Sequence, residues 1–289
     1  MDSLDRADFL ANMKSGGRYE RTVAIYRTNE SSEHVGVFDR ALLEGLPSSV
    51  RWIAHNGAGY DQIDVRACAE KGTSNQLPNC AQATQPWRDP FAHSPVGITV
   101  SNTPIAVDDA TATTALYLMI SALRHFSKGE RSLRAGHWKN DISASQTHDL
   151  TGKTLAILGL GGIGFRLAEL AHAFPMRIIY HSRRKVEDAP DWCEYFEQER
   201  MDEFLSLADV LSVHAPLRPD TEHLVDEGMI RKLNKGAVLV NTARGKVVDE
   251  AALIRALEDG HVSPFADQAI RYCSRPLAVG CCWTGRVSQ

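Results

Sequence analysis

Nowhere in the 289 residues does an apolar run approach the about 18 residues that a membrane-spanning helix requires. Positive charge is not in excess either. The 32 lysines and arginines face 36 acidic residues, for a formal net charge of −4, so neither nucleic acid nor a membrane surface is implied as partner. No C-x-x-C pair occurs among the six cysteines, which excludes the usual zinc and dithiol spacings, and no metal site is expected. Internal repeats and low-complexity tracts are absent. The opening MDSLDRADFL is acidic where a secretory signal would be basic and then apolar, and VSQ at the end is no peroxisomal address. These absences read as a cytoplasmic globular protein.

What is present is an alternation of short apolar runs with helical ones. TVAIYRT (22–28), VRWIAHNG (50–57), TLAILG (154–159), RIIYHS (177–182), VLSVHA (210–215) and AVLVNT (237–242) are expected strands. Helices are expected over VFDRALLEGLP (37–47) and QIDVRACAEKG (62–72), and near 162–173, 200–207, 226–233 and 249–259. Strands alternating with helices of this length predict βαβ units and parallel sheets, an α/β fold.

The pattern fails twice. TSNQLPNCAQATQPWRDPFAHSPVG (73–97) holds four of the twelve prolines and follows neither a strand nor a helix period, after which ITVSNTPIAVDDATATTALYLMISALRHF resumes as strand, turn and long helix. Past Val262 the chain again carries no period. Cys80, Cys273, Cys281 and Cys282 fall in these stretches; the remaining Cys68 and Cys193 suit a reducing compartment.

The strongest local signal is GKTLAILGLGGIGFRLAELAHAF. Gly159, Gly161 and Gly164 satisfy G-x-G-x-x-G directly after an apolar strand and at the start of a helix, with Leu160, Gly162 and Ile163 between them. In that context the first glycine permits the tight turn, the second admits a pyrophosphate to the backbone, and the third lets helix pack on strand. The helix N-terminus offers its N–H groups to the same pyrophosphate. A glycine turn that binds nothing is the competing reading. About 20 residues on, where an NAD site carries an acid for the ribose, stands Ser182, followed by Arg183 and Arg184. Guanidinium groups there suit a 2′-phosphate, so NADP(H) is favoured over NAD(H), against the alternative of a solvated basic loop.

With HNGAGYDQID, SNTP, LGLGGIG, SVHAPL and NTARGKVVDEAAL in this order, the chain resembles the D-isomer-specific 2-hydroxyacid dehydrogenases, and within them the fungal glyoxylate/hydroxypyruvate reductases. The resemblance covers roughly residues 6–72 and 98–262. It implies two Rossmann-like domains: a flavodoxin-like substrate domain at 1–107, interrupted at 73–97, and a dinucleotide-binding domain at 108–262, with 263–289 a tail foreign to the family. It also implies an active site in the cleft between them. The backbone N–H groups of Ala58 and Gly59 would hold the substrate carboxylate, and Arg244 would grip carboxylate and carbonyl oxygen. His214, Ala215, Pro216, Thr221, Thr242 and Ala243 would line the cofactor. Taken alone, Arg244 could be a surface arginine at a strand end, and His214 more often a buried, satisfied histidine. LRAGHWKN (133–140) resembles the arm through which family members form homodimers.

The departures concern catalysis. The family's glutamate follows a GLDVFE-like strand, and its proton-donating histidine sits in a PH-x-G-like turn; here neither follows DGHVS, and His261 is the last histidine. The first strand and helix of the family's substrate domain also have no counterpart, so both domains are expected to be incomplete. AEKG joined to ITVSNTP restores the family pattern, and 25 residues are what an in-frame retained intron could add. The expectation is a 2-oxo acid reductase with impaired turnover; the alternative is a non-catalytic dinucleotide-binding or interaction module.

Overall fold

The computed structural model describes residues 5–71, 97–138, 142–143, 145 and 147–263. The expectations for nearly all of 73–97 and for the tail after Ser263, with four of the cysteines, lie outside the described residues, as do Lys139 and Asn140 of the expected arm. The chain divides into two compact units, Met1–Val107 and Asp108–Gln289.

The first unit carries α1 (Arg6–Met13), β1 (Ala24–Thr28), α2 (Ser31–His34), α3 (Arg40–Glu44), β2 (Trp52–Asn56), α4 (Val65–Glu70) and β3 (Thr99–Ser101). Its three strands are parallel in the order β1-β2-β3. Ile25 and Ile53 pack on Phe38, Leu42, Leu43, Ile63 and Cys68 to make its core. The other face of β1 shows Tyr26 to solvent. α1, α3 and α4 each begin at an aspartate, Asp5, Asp39 and Asp64, whose side chain accepts from the backbone three residues on. Lys71 binds the carbonyls of Leu43, Glu44 and Leu46, closing the open end of α3, and burial lowers its pKa. Ile98 N–H donates to Cys68 O at 2.8 Å, so the chain re-enters β3 directly beside the end of α4.

The second unit carries α5 (Asp108–Arg124), α6 (Phe126–Arg134), β4 (Thr154–Leu158), α7 (Gly162–His172), β5 (Arg177–His181), β6 (Cys193–Phe196), α8 (Met201–Ser206), β7 (Val210–Val213), α9 (Glu227–Lys232), β8 (Val238–Asn241) and α10 (Glu250–Glu258). Its five parallel strands run in the order β6-β5-β4-β7-β8. β4, β7 and β8 are buried on both faces, which is why they read as unbroken apolar runs. From β4 the sheet grows first one way and then the other, so the chain reverses direction between β4 and β7. In open α/β sheets that switch point is where ligands bind, at the carboxyl ends of the strands.

Two features were not expected. β6 is a short edge strand within DWCEYFEQ, where acidic neighbours hide its β-forming residues. The long helix stops at Arg124, because His125 takes a left-handed conformation (φ 54°) before α6 begins, and His148 N–H takes the carbonyl of Leu123 that a continuing helix would use.

Candidate active site

At the switch point, Gly159 turns out of β4 with φ +103° and gives its N–H to His181 O at 2.8 Å. A Cβ there would press on the His214 backbone, so β4 and β7 approach as closely as only glycine permits. A Cβ on Gly164 would stand 2.3 Å from Gly159 O and 3.1 Å from Ile157 Cγ2, which is the close packing of helix on strand. Around Gly161 the space is open. Among the described residues, the N–H groups of Gly161, Gly162 and Ile163 have no hydrogen-bond acceptor, as the first turn of a helix leaves them. The Asp108 carboxylate abuts Gly162, and burial and Asp109 raise its pKa.

Ser182 sits one residue past β5, and its Oγ accepts from Leu160 N–H at 2.8 Å, tying the end of β5 to the glycine loop. Arg183 and Arg184 follow it, both exposed and without an ion pair among the described residues. Past β7, His214 Nε2 lies 2.8 Å from Ser212 Oγ, and burial holds its pKa at about 4, a neutral and satisfied histidine. Ala215 is buried beside it, and Pro216 is exposed. The Thr221 hydroxyl is engaged within its own turn, accepting from Arg218 N–H at 2.7 Å and donating to Pro216 O at 2.6 Å. It shapes the loop that carries Pro216.

Past β8, the buried Asn241 organises the next three residues: its Oδ1 accepts from Ala243 N–H at 3.0 Å and its Nδ2 donates to Arg244 O at 2.9 Å. Arg244 is half-buried, and its Nη1 donates to Ala243 O at 2.9 Å. Thr242 Oγ1 is buried with no partner among the described residues. A buried hydroxyl left unsatisfied costs about 1–3 kcal/mol, so a ligand polar group is its natural complement. The free N–H groups at Gly161–Ile163, the open space at Gly161 and this hydroxyl fit a dinucleotide.

In the first unit, the turn after β2 has all three of its early carbonyls engaged. Gly57 O accepts from Thr103 N–H at 3.1 Å, Ala58 O from Asn102 Nδ2 at 2.7 Å, and Gly59 O lies 2.8 Å from His55 Nε2. Across a trans peptide the next N–H points opposite the carbonyl. The N–H groups of Ala58, Gly59 and Tyr60 are thus turned away from those partners, and among the described residues they have no acceptor. Three such donors in succession suit an anion. Asn102, Thr103 and His55 are the residues that inspection of the sequence missed. SNTP marked the first two and HNGAGYDQID marked His55 as parts of motifs, with no role given to any of the three.

His261 lies at the other end of the second unit's sheet. It follows α10, its Nε2 is 3.0 Å from Ile230 O, and the next residue, Val262, bridges Ala237 before β8 begins. Arg244 lies beyond the opposite end of that strand. Among the described residues no group of three His, Cys, Asp or Glu side chains could hold a metal ion, and no helix is long and apolar enough to cross a membrane.

Comparison with known proteins identifies the family. Residues 116–267 match the D-isomer specific 2-hydroxyacid dehydrogenase NAD binding domain, and residues 22–74 match the catalytic domain of the same family. The chain is 40% identical over 257 residues to 4-methyl-2-oxopentanoate reductase A of Aspergillus oryzae, covering 89% of this chain and 69% of that one. It is 37% identical over 267 residues to glyoxylate reductase 1 of Saccharomyces cerevisiae, covering 90% and 68%. Among solved structures it is similar to a glyoxylate reductase from Paecilomyes thermophila, with a TM-score of 0.76 and 44% identity over 90% of this chain and 70% of that one.

Proposed function

Since the chain belongs to the D-isomer specific 2-hydroxyacid dehydrogenase family, we propose that it binds NADP(H) in preference to NAD(H) and addresses a small 2-oxo acid such as glyoxylate or hydroxypyruvate. The product would be the 2-hydroxy acid, of D configuration where it is chiral. The observation that carries the reading is the glycine turn at the β4/β7 switch point, with three helix N–H groups awaiting an anion. The relatives are named for glyoxylate and for 4-methyl-2-oxopentanoate, which share only the 2-oxo acid head. The proposed contacts address that head. Ala58 and Gly59 N–H would suit its carboxylate, and the Arg244 guanidinium, a fork of donors, would suit its adjacent oxygens and draw charge from the carbonyl carbon.

The cofactor, when bound, supplies the hydride; the protein must supply the proton. Its pyrophosphate would rest on the N–H groups of Gly161, Gly162 and Ile163, with His214, Ala215, Pro216, Thr242 and Ala243 alongside and Thr221 shaping the loop. Arg183 and Arg184, exposed and with no ion pair among the described residues, would meet the 2′-phosphate. The 289 residues place only His261 after Arg244 among histidines, and it lies at the far end of β8 with its ring against a backbone carbonyl. We therefore take turnover of this polypeptide to be impaired. Residues 133–140, with Leu133 and Trp138 exposed, are the proposed arm of a homodimer.

Calorimetric titration with the two reduced coenzymes tests the coenzyme assignment. NADPH is expected to bind about tenfold more tightly than NADH, and Arg183→Ser with Arg184→Ser to erase the difference while leaving NADH binding intact. Equal affinities in the unaltered chain would defeat the assignment.

A further inference from the structure

The turn that carries Ala58 and Gly59 has a support that reaches back into the core of the first unit. Arg27 and His55 are cross-strand partners in the β1–β2 register, on the buried face of the sheet. Arg27 Nη1 lies 3.4 Å from His55 Nδ1, and its other terminal nitrogen binds Ser32 Oγ at 2.5 Å and Gln62 Oε1 at 2.7 Å. The guanidinium also lies over the Phe38 ring, 5.1 Å from its centroid.

An arginine can only donate, so His55 Nδ1 must accept. That requirement selects the tautomer: the ring proton sits on Nε2, the nitrogen 2.8 Å from Gly59 O. His55 Nε2–H therefore donates to Gly59 O, and the cation behind the ring strengthens the donor. The peptide so fixed is Gly59–Tyr60, whose N–H points opposite the carbonyl. Two neighbouring peptides are held by Asn102 and Thr103.

We propose that His55, oriented by Arg27, is a positioning residue for the substrate carboxylate, and that the Tyr60 N–H joins those of Ala58 and Gly59 as a third donor to it. The inference rests on the carboxylate reading given above and adds to it a further contact and the residue that aims it. Gly57 suits this arrangement, because a Cβ there would stand 2.7 Å from His55 Nε2. Bulk at residue 57 would push the ring off the carbonyl.

The test uses the full 289-residue chain, 15N-labelled and saturated with NADPH, with oxamate as the probe because it carries a carboxylate beside a carbonyl. In the unaltered chain oxamate is expected to move the amide signals of Ala58, Gly59 and Tyr60. His55→Leu is expected to weaken oxamate about 5–10-fold with NADPH affinity unchanged. His55→Gln, whose amide nitrogen can replace Nε2–H, should return affinity to within about twofold of the original. If oxamate binds the unaltered chain and His55→Leu equally well, the inference is overturned while the carboxylate site stands. If oxamate leaves the three amides unmoved in the unaltered chain, the carboxylate site itself fails and the inference with it. Should His55→Leu not fold, the imidazole nitrogens of the unaltered chain decide: a proton on Nε2 supports the relay, and a proton on Nδ1 overturns it.

Discussion

At the scale of single residues, the proposed dinucleotide site has a group that would work against its ligand. The Asp108 carboxylate lies against Gly162, at the helix end proposed for a pyrophosphate. Like charges repel there across a few ångströms of partly desolvated space. Asp108→Asn is expected to tighten NADPH binding about 3–10-fold, by an amount that shrinks as salt is raised, read by calorimetry at two ionic strengths. His214 gives a second residue-scale expectation. Its folded pKa of about 4 lies below the about 6.5 of an unfolded histidine, so the unfolded chain binds its proton first as pH falls. Its contribution to stability is thus complete above pH about 6.5, declines below it, and is exhausted near pH 4. Denaturant midpoints followed over that window should fall more steeply for the unaltered chain than for His214→Asn.

At the scale of elements, the segment between α4 and β3 is expected to be dispensable. Ile98 N–H bonds Cys68 O, and Gly97 nestles where a Cβ would meet Ala69 O at 2.6 Å, so the flanking ends already adjoin. Closing a longer flexible loop costs only about 0.6 kcal/mol per doubling of its length. Deleting residues 73–97 should leave the melting temperature unchanged or raise it by a few degrees, measured by circular dichroism; a collapse of the fold would show that the segment contributes core. The elements also show what was legible beforehand. β4, β5, β7 and β8 announced themselves as apolar runs because burial on both faces demands it, and the glycine spacing located α7. β6 did not, since an edge strand of four residues needs little apolar content. The turn at 57–59 was legible as a motif only in its family context; its mechanics were not, because the donors that pin it come from residues 102 and 103, more than 40 positions away, and from a histidine whose tautomer depends on a neighbouring strand. Ser182 was legible as a position at the end of β5, while its bond to Leu160 N–H required the fold.

At the scale of the molecule, the proposal assigns carboxylate donors to the first unit, and a dinucleotide turn with Arg244 to the second. In the proposed reading binding and turnover are tested separately, since the groups proposed for binding are all among the described residues. A positioned general acid contributes typically 10²–10⁴-fold to rate. The measurement that bears most directly on the account is NADPH consumption with glyoxylate by the 289-residue chain, run beside the Saccharomyces cerevisiae glyoxylate reductase, with NADPH binding titrated in the same preparation. The expected result is saturable NADPH binding with turnover at least about a hundredfold below the relative. Rates within tenfold of the relative, or no NADPH binding by a folded chain, would contradict it.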